Sequence, residues 1–345
     1  MSINPQTINW NSLGFDFIET KTMFKANCKQ NGLWEDGSLE PVGTISLSPA
    51  AGVLNYGQGV FEGMKAYRTS KNRIVLFRPE MNAKRFSVSL KRLCMPEMEV
   101  DYFLNAVMKT VYDNIDYVPP FGLGSLYIRP IAWGTAPTLG VKPAEEYTFM
   151  IYVCPVGPYF KGNIKPLNLK VSYNYHRAAP KGTGNVKAIG NYSASLYPLS
   201  LAKNDGFDEV IYLNAGDENL VEEVGSANLF ALRGNVLKTP QLAGSILPGI
   251  TRNSVLTIAK EKLGLEIRET DLTLSELLSA DEVFCTGTAV VVTPVGKITH
   301  NTDVYTINNN SMGPITEKLR STMLGIQREE AEDSFSWLHE VMSSD

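Results

Sequence analysis

The sequence predicts an α+β protein built from two domains. Its 345 residues are 43% hydrophobic, which is more chain than a single hydrophobic core usually organises. Strand-like and helix-like segments are grouped rather than strictly alternating, a pattern typical of a mostly antiparallel sheet packed against helices. Proline and glycine gather in CPVGPYFKGNIKP, residues 154–166, which we take as the junction between the domains.

The first half shows period-two apolar patterns typical of strands and apolar residues at helical spacing. The predicted strands are VFEGMKAYR and RIVLF, on either side of the turn TSKN, and later LYIRPIAWG and YTFMIYVCPV. The predicted helices between them are MNAKRFSVSLKRLCM and VDYFLNAVMKTVYDN. We therefore expect a small N-terminal domain over residues 1–158.

The second half mixes strands with amphipathic helices. The predicted strands are NLKVSYNY, EVIYLN, NLFAL and NVLKT, and the predicted helices are NYSASLYPLSLAKN, ITRNSVLTIAKEKLG and ITEKLRSTMLGIQRE. We expect an interdomain loop over residues 159–167 and a larger domain over residues 168–345.

Charge and cysteine usage favour a small-molecule partner. Lys and Arg number 32 against 36 Asp and Glu, and no block of like charge indicates a nucleic acid or a membrane surface. The apolar runs are shorter than the roughly 20 residues that a membrane helix needs. The four cysteines form no C-x-x-C pair, and the opening MSINPQTINWNSLGFDFIET has no signal or transit pattern. These features predict a cytoplasmic protein.

The chain lacks the residue patterns that several kinds of chemistry require. The three histidines are far apart and have no metal-ligand spacing, and no G-x-S-x-G nucleophile elbow occurs. In YGQGVFEG, Gly57, Gly59 and Gly63 have the spacing G-x-G-x-x-x-G and precede a strand, unlike a dinucleotide fingerprint. A turn into the strand and room for a ligand are both open interpretations of these glycines. We expect neither a metal site nor a hydrolase triad.

Lys187 lies in the glycine-rich segment KGTGNVKAIGNY, just before a predicted helix. Schiff-base chemistry needs an amine partly freed of its proton, at a place where backbone can approach a bulky cofactor. The small residues on both sides of Lys187 allow that approach, and the hydroxyl of Tyr192 could reach the same pocket. From these residues alone, an ordinary solvated lysine remains the alternative.

Two further segments offer a carboxylate and phosphate-binding donors. In VEEVGSANLF, Glu223 could pair with a pyridine nitrogen, and an anionic partner keeps such a nitrogen protonated. In SILPGITRNSV, a Pro-Gly pair precedes a helix whose first N–H groups, at Ile250 and Thr251, have no partner within the helix. The turn CTGTA adds donors at Thr288. An acidic hairpin and an ordinary helix start remain the alternatives for the first two segments.

These segments, in this order, resemble the class IV aminotransferases, the fold-type IV pyridoxal-phosphate enzymes. The run from Glu223 to Arg252 is similar to the family signature throughout. Within the family, six motifs resemble branched-chain aminotransferases: YGQGVFEGMKAYR, LYIRP, VGPYF, KAIGNY, LPGITR and EVFCTGTAVVVTPVG. The resemblance implies a two-domain fold-type IV architecture, with a small N-terminal α/β domain and a larger C-terminal domain whose mixed sheet is barrel-like.

The resemblance also implies a cofactor, pyridoxal 5'-phosphate, and the residues that bind it. Lys187 would be the catalytic residue and carry the cofactor as a Schiff base. Tyr192 would bond the phenolic oxygen, and Glu223 the ring nitrogen. The phosphate would be held by Arg85, Ile250, Thr251 and Thr288, with Ser226 as a supporting donor.

For the substrate, the resemblance implies a pocket that is mainly aromatic and aliphatic. It would be formed by Tyr56, Phe61, Tyr127 and Tyr159, with Leu139 and Val141 reaching in from the partner subunit of a homodimer. Thr288 and Ala289 would bind the α-carboxylate with help from Tyr127. Arg129 alternates with Tyr127 on one strand face and is the candidate cation for a second carboxylate. Without the resemblance, the apolar members are also plausible core residues.

The activity that the resemblance implies is transamination of L-leucine, L-isoleucine and L-valine with 2-oxoglutarate, giving the 2-oxo acids and L-glutamate. A D-amino-acid aminotransferase and an aminodeoxychorismate lyase are the alternatives within the family, and the motifs around Phe61 and Arg129 disfavour both. A non-catalytic protein that keeps the cofactor site is a third alternative. The sequence does not rank the branched-chain substrates, because one methylene in an apolar pocket changes discrimination by only about 1 to 3 kcal/mol.

Overall fold

The structure, a computed structural model, describes residues 3–29, 32–157 and 164–342. The strands are β1 Thr22–Cys28, β2 Ser38–Pro41, β3 Gly59–Phe61, β4 Met64–Arg68, β5 Ile74–Phe77, β6 Ser125–Gly134, β7 Tyr147–Val156, β8 Leu167–Ser172, β9 Glu209–Leu213, β10 Val221–Val224, β11 Ala227–Arg233, β12 Val236–Thr239, β13 Glu266–Glu269, β14 Glu282–Gly287, β15 Val291–His300, β16 Asp303–Thr306 and β17 Leu338–Glu340. The α-helices are α1 Gly52–Tyr56, α2 Pro79–Arg92, α3 Val100–Asp113, α4 Gly190–Ser193, α5 Leu196–Asn204, α6 Ile250–Glu261, α7 Leu274–Leu278 and α8 Pro314–Gln327.

The chain divides into two compact units. The first unit takes Met1–Tyr159, Lys187–Gly190 and Gly325–Asp345, and the second takes Phe160–Val186 and Asn191–Leu324. The last segment of the chain and the short segment that starts at Lys187 join the first unit, although the sequence interpretation placed both in the second domain.

The first unit is built on an antiparallel sheet in the order β17-β5-β4-β6-β7-β1-β2, with β3 pairing to β6. The long strands β6 and β7 pair along their whole length. Phe86 of α2 and Phe103 of α3 are buried against Phe149 of β7, with ring centroids 5.5 Å and 6.1 Å away. The predicted periodicities give each helix and strand an apolar face, and these contacts pack those faces into one core.

The strand predicted over VFEGMKAYR is interrupted at Glu62 and Gly63, between β3 and β4. The backbone N–H of Glu62 still donates to the carbonyl of Pro130 at 2.8 Å. A Cβ on Gly63 would lie 2.2 Å from the hydroxyl of Tyr127, so only glycine leaves room for that side chain. This glycine is thus required for the close approach of Tyr127, a role that neither interpretation of the sequence included.

Lys187–Gly190 belongs to the first unit because it pairs with the edge of β3. The N–H of Phe61 donates to the carbonyl of Lys187 at 3.1 Å, and the N–H of Ile189 donates to the carbonyl of Gly59 at 3.0 Å. Sequence periodicity does not reveal such pairing between residues far apart in the chain. The lysine segment is therefore fixed by backbone hydrogen bonds to a strand of the N-terminal half.

The second unit contains a mixed sheet in the order β10-β9-β8-β15-β14-β11-β12-β13, with β16 pairing to β15. An additional pairing of β10 with β11 closes six of these strands into a barrel. β8 pairs in parallel with β9 and β15, and β12 with β13. Leu169, Ile211, Leu229 and Cys285 are among the buried residues that fill the barrel. The predicted α+β class with a mixed, barrel-like second sheet is confirmed.

The helices of the second unit follow the predictions with two exceptions, one of which is the short helix α7, which was not predicted. ITRNSVLTIAKEKLG contains α6, whereas NYSASLYPLSLAKN forms two helices, α4 and α5. The break occurs where the N–H and the hydroxyl of Ser195 both donate to the carbonyl of Tyr192, at 3.3 Å and 2.9 Å. No helix in the described ranges has the length and apolar character that crossing a membrane requires.

Candidate active site

Lys187 places its amine above the aromatic ring of Phe61, 4.5 Å from the centroid. Its backbone N–H donates to the hydroxyl of Ser89 on α2 at 3.0 Å. Burial, and after it the positive charge of Arg85, lower the pKa of the amine to about 8, although the carboxylate of Glu62 acts in the opposite direction. This environment differs from that of a solvated lysine, because a large share of the amine is neutral near pH 8.

Glu62 is a fully buried carboxylate in contact with α2. Arg85 donates to it from Nε at 2.7 Å and from Nη2 at 2.8 Å, and Asn82 donates from Nδ2 at 2.7 Å. Burial alone would raise the pKa of Glu62, but the guanidinium of Arg85 holds it below its usual range. The bidentate pair fixes the orientation of Arg85, whose predicted contact with phosphate stays a prediction.

Tyr127 and Arg129 lie two residues apart on β6, and their side chains meet as the strand alternation predicts. Arg129 donates from Nη2 to the hydroxyl of Tyr127 at 3.0 Å. The guanidinium lies above the rings of Phe61 and Tyr127, at 4.6 Å and 5.2 Å from the centroids. The structure therefore brings Phe61, Tyr127, Arg129 and Lys187 together around one aromatic surface.

Leu139 and Val141, on the connection between β6 and β7, are 90% and 88% exposed. The alternative that they are core residues is therefore wrong. Tyr56, at the end of α1, donates its hydroxyl to the carbonyl of Leu139. Tyr159, the remaining predicted pocket residue, lies outside the described residues.

Tyr192 is partly buried in the short helix α4. The buried residue before it, Asn191, donates from Nδ2 to the carbonyls of Thr183 and Val186, at 2.7 Å and 2.9 Å. It also accepts a hydrogen bond from the hydroxyl of Thr183 at 2.7 Å. Asn191 therefore fixes the loop that leads into Lys187.

Glu223 is buried on β10, directly opposite Asn228 of β11. Asn228 donates from Nδ2 to Oε1 of Glu223 at 2.9 Å, and Arg177 forms an ion pair with Oε2 at 2.6 Å. Both side chains of the ion pair are almost completely buried. The charge of Arg177 compensates the Glu223 carboxylate, so an anion can be kept in this buried position.

Arg177 also connects Glu223 to a second buried carboxylate, Glu222. Arg177 donates from Nη1 to the carbonyl of Ser245 at 3.3 Å, and the hydroxyl of Ser245 donates to Glu222. Asn214 donates a further bond to Glu222 at 2.8 Å. Burial raises the pKa of Glu222 in spite of these bonds. The network holds the loop before α6 against β10.

The start of α6 is the segment predicted to bind phosphate. Gly249 is the N-cap, and within the described part of the chain no side chain caps the first N–H groups of the helix. A Cβ on Gly249 would lie 2.0 Å from Oδ1 of Asn228, and Asn228 also donates from Nδ2 to the carbonyl of Leu247 at 3.0 Å. Ile250 and Thr251, the predicted phosphate ligands, are the first two residues of this helix.

Thr288 and Ala289 form the turn between β14 and β15. Arg320 of α8 braces this turn by donating from Nη1 to the carbonyls of Val290 and Val292, at 3.0 Å and 2.6 Å. The turn is thus held in place while its first two residues stay partly exposed.

Three strands bring the groups of the second unit to one face of the barrel. Asn228 pairs directly with Glu223 of β10 on one side and with Thr286 of β14 on the other. Residues directly opposite each other in antiparallel strands share a face. Glu223, the predicted partner of the ring nitrogen, therefore lies on the same face as Thr286, whose strand ends at the Thr288 turn. Ser226 is exposed in the hairpin turn between β10 and β11.

Sequence reasoning missed two charged residues that contact predicted site residues, one in each unit. Glu62 lies in the motif YGQGVFEG. A carboxylate within an apolar strand-like run is a signal that could have identified Glu62 as a site residue. Arg177, in YNYHRAAP, has no local spacing that distinguishes it. Its contact with Glu223 depends on long-range folding.

The fold and these residues match a known enzyme family. Residues 59–298 match the model of the amino-transferase class IV family. The chain belongs to this family, and it is an aminotransferase. It is 48% identical to branched-chain amino acid aminotransferase 2, chloroplastic, of Humulus lupulus, over 97% of this chain and 82% of the relative. It is 42% identical to a methionine aminotransferase of Arabidopsis thaliana, over 97% of this chain and 94% of the relative.

Solved structures confirm the fold-type IV architecture. The Escherichia coli branched-chain amino acid aminotransferase superposes with a TM-score of 0.81 at 29% identity, covering 94% of this chain and all of that one. The enzyme of Thermoproteus uzoniensis, solved with norvaline, gives a TM-score of 0.79 at 30% identity and the same coverage. A third branched-chain amino acid aminotransferase, solved with pyridoxamine 5'-phosphate, gives 0.80 at 31% identity and also covers 94% of this chain and all of that one.

The predicted cytoplasmic location is wrong. Relatives from Humulus lupulus and Arabidopsis thaliana that are 46–48% identical to this chain are chloroplastic or mitochondrial enzymes. Location is decided by targeting signals that a folded domain does not need. Composition and cysteine spacing therefore do not decide location.

Proposed function

We propose that the protein transfers amino groups between branched-chain L-amino acids and 2-oxoglutarate, with pyridoxal 5'-phosphate as cofactor. The observation that carries the proposal is the amine of Lys187 above the ring of Phe61, beside the guanidinium of Arg129. This arrangement combines a reactive amine, an apolar surface and a cation. The names of the similar plant enzymes support the substrate class, and the solved relative that contains pyridoxamine 5'-phosphate supports the cofactor.

The residues present fit this cofactor. The amine of Lys187 would hold it covalently, the buried carboxylate of Glu223 would bond the ring nitrogen, and Tyr192 would bond the phenolic oxygen. The donors proposed for the phosphate are Arg85, Ile250, Thr251 and Thr288, with Ser226 in support. When bound, pyridoxal phosphate supplies an electron sink that stabilises negative charge at the substrate Cα.

Lys187 would also move the proton of the reaction. Once the incoming amino group has displaced it, the free amine takes the proton from the substrate Cα as a general base. It returns a proton as a general acid when the amino group is passed on. A pKa near 8 suits both roles, because an acid–base group works best when its pKa lies near the operating pH.

Two different side chains must be accepted at one site. The aliphatic side chain of leucine would lie against aromatic surface, for which the proposed residues are Tyr56, Phe61, Tyr127 and Tyr159. The second carboxylate of 2-oxoglutarate would pair with Arg129, which the Tyr127 hydroxyl and two aromatic rings hold in place. Thr288 and Ala289 would bind the α-carboxylate that both substrates share.

We further propose that the active unit is a homodimer. Leu139 and Val141 are large apolar residues exposed together on the connection between β6 and β7, and neighbouring apolar side chains exposed to this extent are typical of a surface that a partner covers. A second copy of the chain would cover them, and they would complete the partner's substrate pocket.

A spectroscopic titration tests the proposal. Protein loaded with pyridoxal phosphate should lose its visible absorbance when L-leucine, L-isoleucine or L-valine is added, and 2-oxoglutarate should restore it. D-alanine should have no effect. A response to D-alanine with none to L-leucine would instead favour a D-amino-acid aminotransferase.

The methionine aminotransferase among the relatives supports L-methionine as a second candidate substrate. The side chain of methionine is apolar, unbranched and flexible, so it can fill an aromatic pocket. Including it in the same titration ranks the four amino acids on one scale.

A further inference from the structure

Thr286 on β14 carries a buried hydroxyl without a hydrogen-bond partner among the described residues. The residue is only 1% exposed. Burying a hydroxyl without a partner costs free energy, and most buried polar groups in proteins are paired. Two other buried threonines of the same unit follow that rule, since Thr239 donates to the carbonyl of Leu229 at 2.7 Å and Thr293 to that of Val290 at 2.9 Å.

The position of Thr286 relates it to the start of α6. It lies directly opposite Asn228, on the face of the barrel that also carries Glu223. Asn228 in turn contacts the loop before the helix, through the carbonyl of Leu247 and the close approach of Gly249. The orphan hydroxyl and the uncapped helix start are therefore two independent features at one place in the second unit.

We propose that Thr286 donates a hydrogen bond to the phosphate group of pyridoxal phosphate, in addition to the ligands named above. The inference rests on the proposed function. A phosphate oxygen accepts hydrogen bonds strongly, and the amides at the start of α6 favour the same negative charge. The hydroxyl has no partner among the described residues because its partner arrives with the cofactor.

Thr286→Val tests the proposal, because valine keeps the shape of the side chain and removes the hydroxyl. In the cofactor-free protein the variant should unfold about 2 °C higher than wild type, since an unpaired buried hydroxyl is lost. Its affinity for pyridoxal phosphate, measured by equilibrium dialysis, should be about tenfold weaker.

Thr239→Val is the matched control in the same sheet. It removes a hydroxyl that already has a partner, so the cofactor-free protein should unfold at a lower temperature. Its affinity for pyridoxal phosphate should stay within about twofold of wild type.

Two further ligands test whether Thr286 contacts the phosphate end of the cofactor. They are pyridoxal, which lacks the phosphate, and inorganic phosphate. Thr286→Val should bind pyridoxal as wild type does and should lose the thermal stabilisation that inorganic phosphate gives. Equal weakening for pyridoxal and pyridoxal phosphate would overturn the proposal, and so would unchanged affinity for both or a lower unfolding temperature of the cofactor-free variant. Failure of the wild-type protein to bind pyridoxal phosphate would instead overturn the proposed function.

Discussion

At the scale of single residues, two cations compete for one buried carboxylate. Glu62 is paired with Arg85 by two short hydrogen bonds and also raises the pKa of Lys187. Burial and Arg85 act on Lys187 in the opposite direction and leave its pKa at about 8. Glu62 thus offsets part of their effect and increases the share of the Lys187 amine that is protonated.

Glu62→Gln should therefore lower the pKa of Lys187 below about 8 in the cofactor-free protein. Removing a negative charge disfavours the protonated amine, so the midpoint of its titration moves to lower pH. The measurement is the pH dependence of acylation at Lys187, followed by mass spectrometry. Glu145→Gln, at an exposed carboxylate of the same unit, should leave the midpoint in place. A midpoint that rises or stays unchanged in Glu62→Gln would show that Glu62 has no such role.

Arg129 should affect the two substrates unequally. Arg129→Ala is expected to raise KM for 2-oxoglutarate at least about tenfold and KM for leucine much less, because only the former has a carboxylate in the side-chain pocket. Steady-state kinetics with each substrate varied in turn measures the difference. Arg68→Ala, at the end of β4, serves as the control. Equal changes in both KM values would rule out the assignment.

Some side-chain contacts of the site were predictable from the sequence, and others were not. Tyr127 and Arg129 were predicted to share a strand face, and the two-residue alternation of a strand was enough to predict it. The pairing of Glu62 with Arg85, and of Glu223 with Arg177, joins residues 23 and 46 positions apart by number (85 − 62 and 223 − 177). No local period encodes such contacts.

At the scale of elements, the start of α6 is positioned by a glycine. Gly249 lets Asn228 approach the helix start, and Asn228 bonds both Glu223 and the preceding loop. The Pro-Gly dipeptide predicted the helix start, but the reason for the glycine appears only in the structure. It is a contact with a neighbouring strand rather than a requirement of the helix.

Gly249→Ala should weaken the binding of pyridoxal phosphate about tenfold or more. The added Cβ would lie 2.0 Å from Oδ1 of Asn228, so either that side chain or the helix start must move. Equilibrium dialysis measures the affinity. Gly43→Ala is the control, because a Cβ there meets no atom within 4 Å. An affinity within twofold of wild type in Gly249→Ala would show that the helix start tolerates the displacement.

Elements with strong internal patterns were predicted well, and elements defined by pairing were not. The helices α3 and α6 and the strand β7 lie within predicted segments, and α2 and β6 begin one or two residues before theirs, because the periodicity of these elements is local. The attachment of Lys187–Gly190 to β3, and the pairing of β10 with β11 that closes the barrel, depend on the register of distant segments. Periodicity carries no information about register between such segments.

At the scale of the whole molecule, the proposed homodimer makes each active site dependent on two chains. Leu139 and Val141 would act in the partner's site, whereas Lys187 acts in its own. Lys187→Ala and the double variant Leu139→Ser/Val141→Ser should each be poorly active alone. After mixing, unfolding and refolding, about a quarter of wild-type activity should return, because half of the dimers are hybrids with one complete site. No gain on mixing, or a monomeric wild-type protein in sedimentation, would contradict the shared site.

The central claim is that Lys187 carries the chemistry of an aminotransferase. The most direct measurement is the rate of amino transfer from L-leucine to 2-oxoglutarate by Lys187→Ala, compared with wild type and with Lys203→Ala, which changes an exposed lysine of α5. We predict a loss of at least about a thousandfold in Lys187→Ala, because both the covalent attachment and the proton transfer are removed, and a near wild-type rate in Lys203→Ala. Near wild-type transfer by Lys187→Ala would contradict the account.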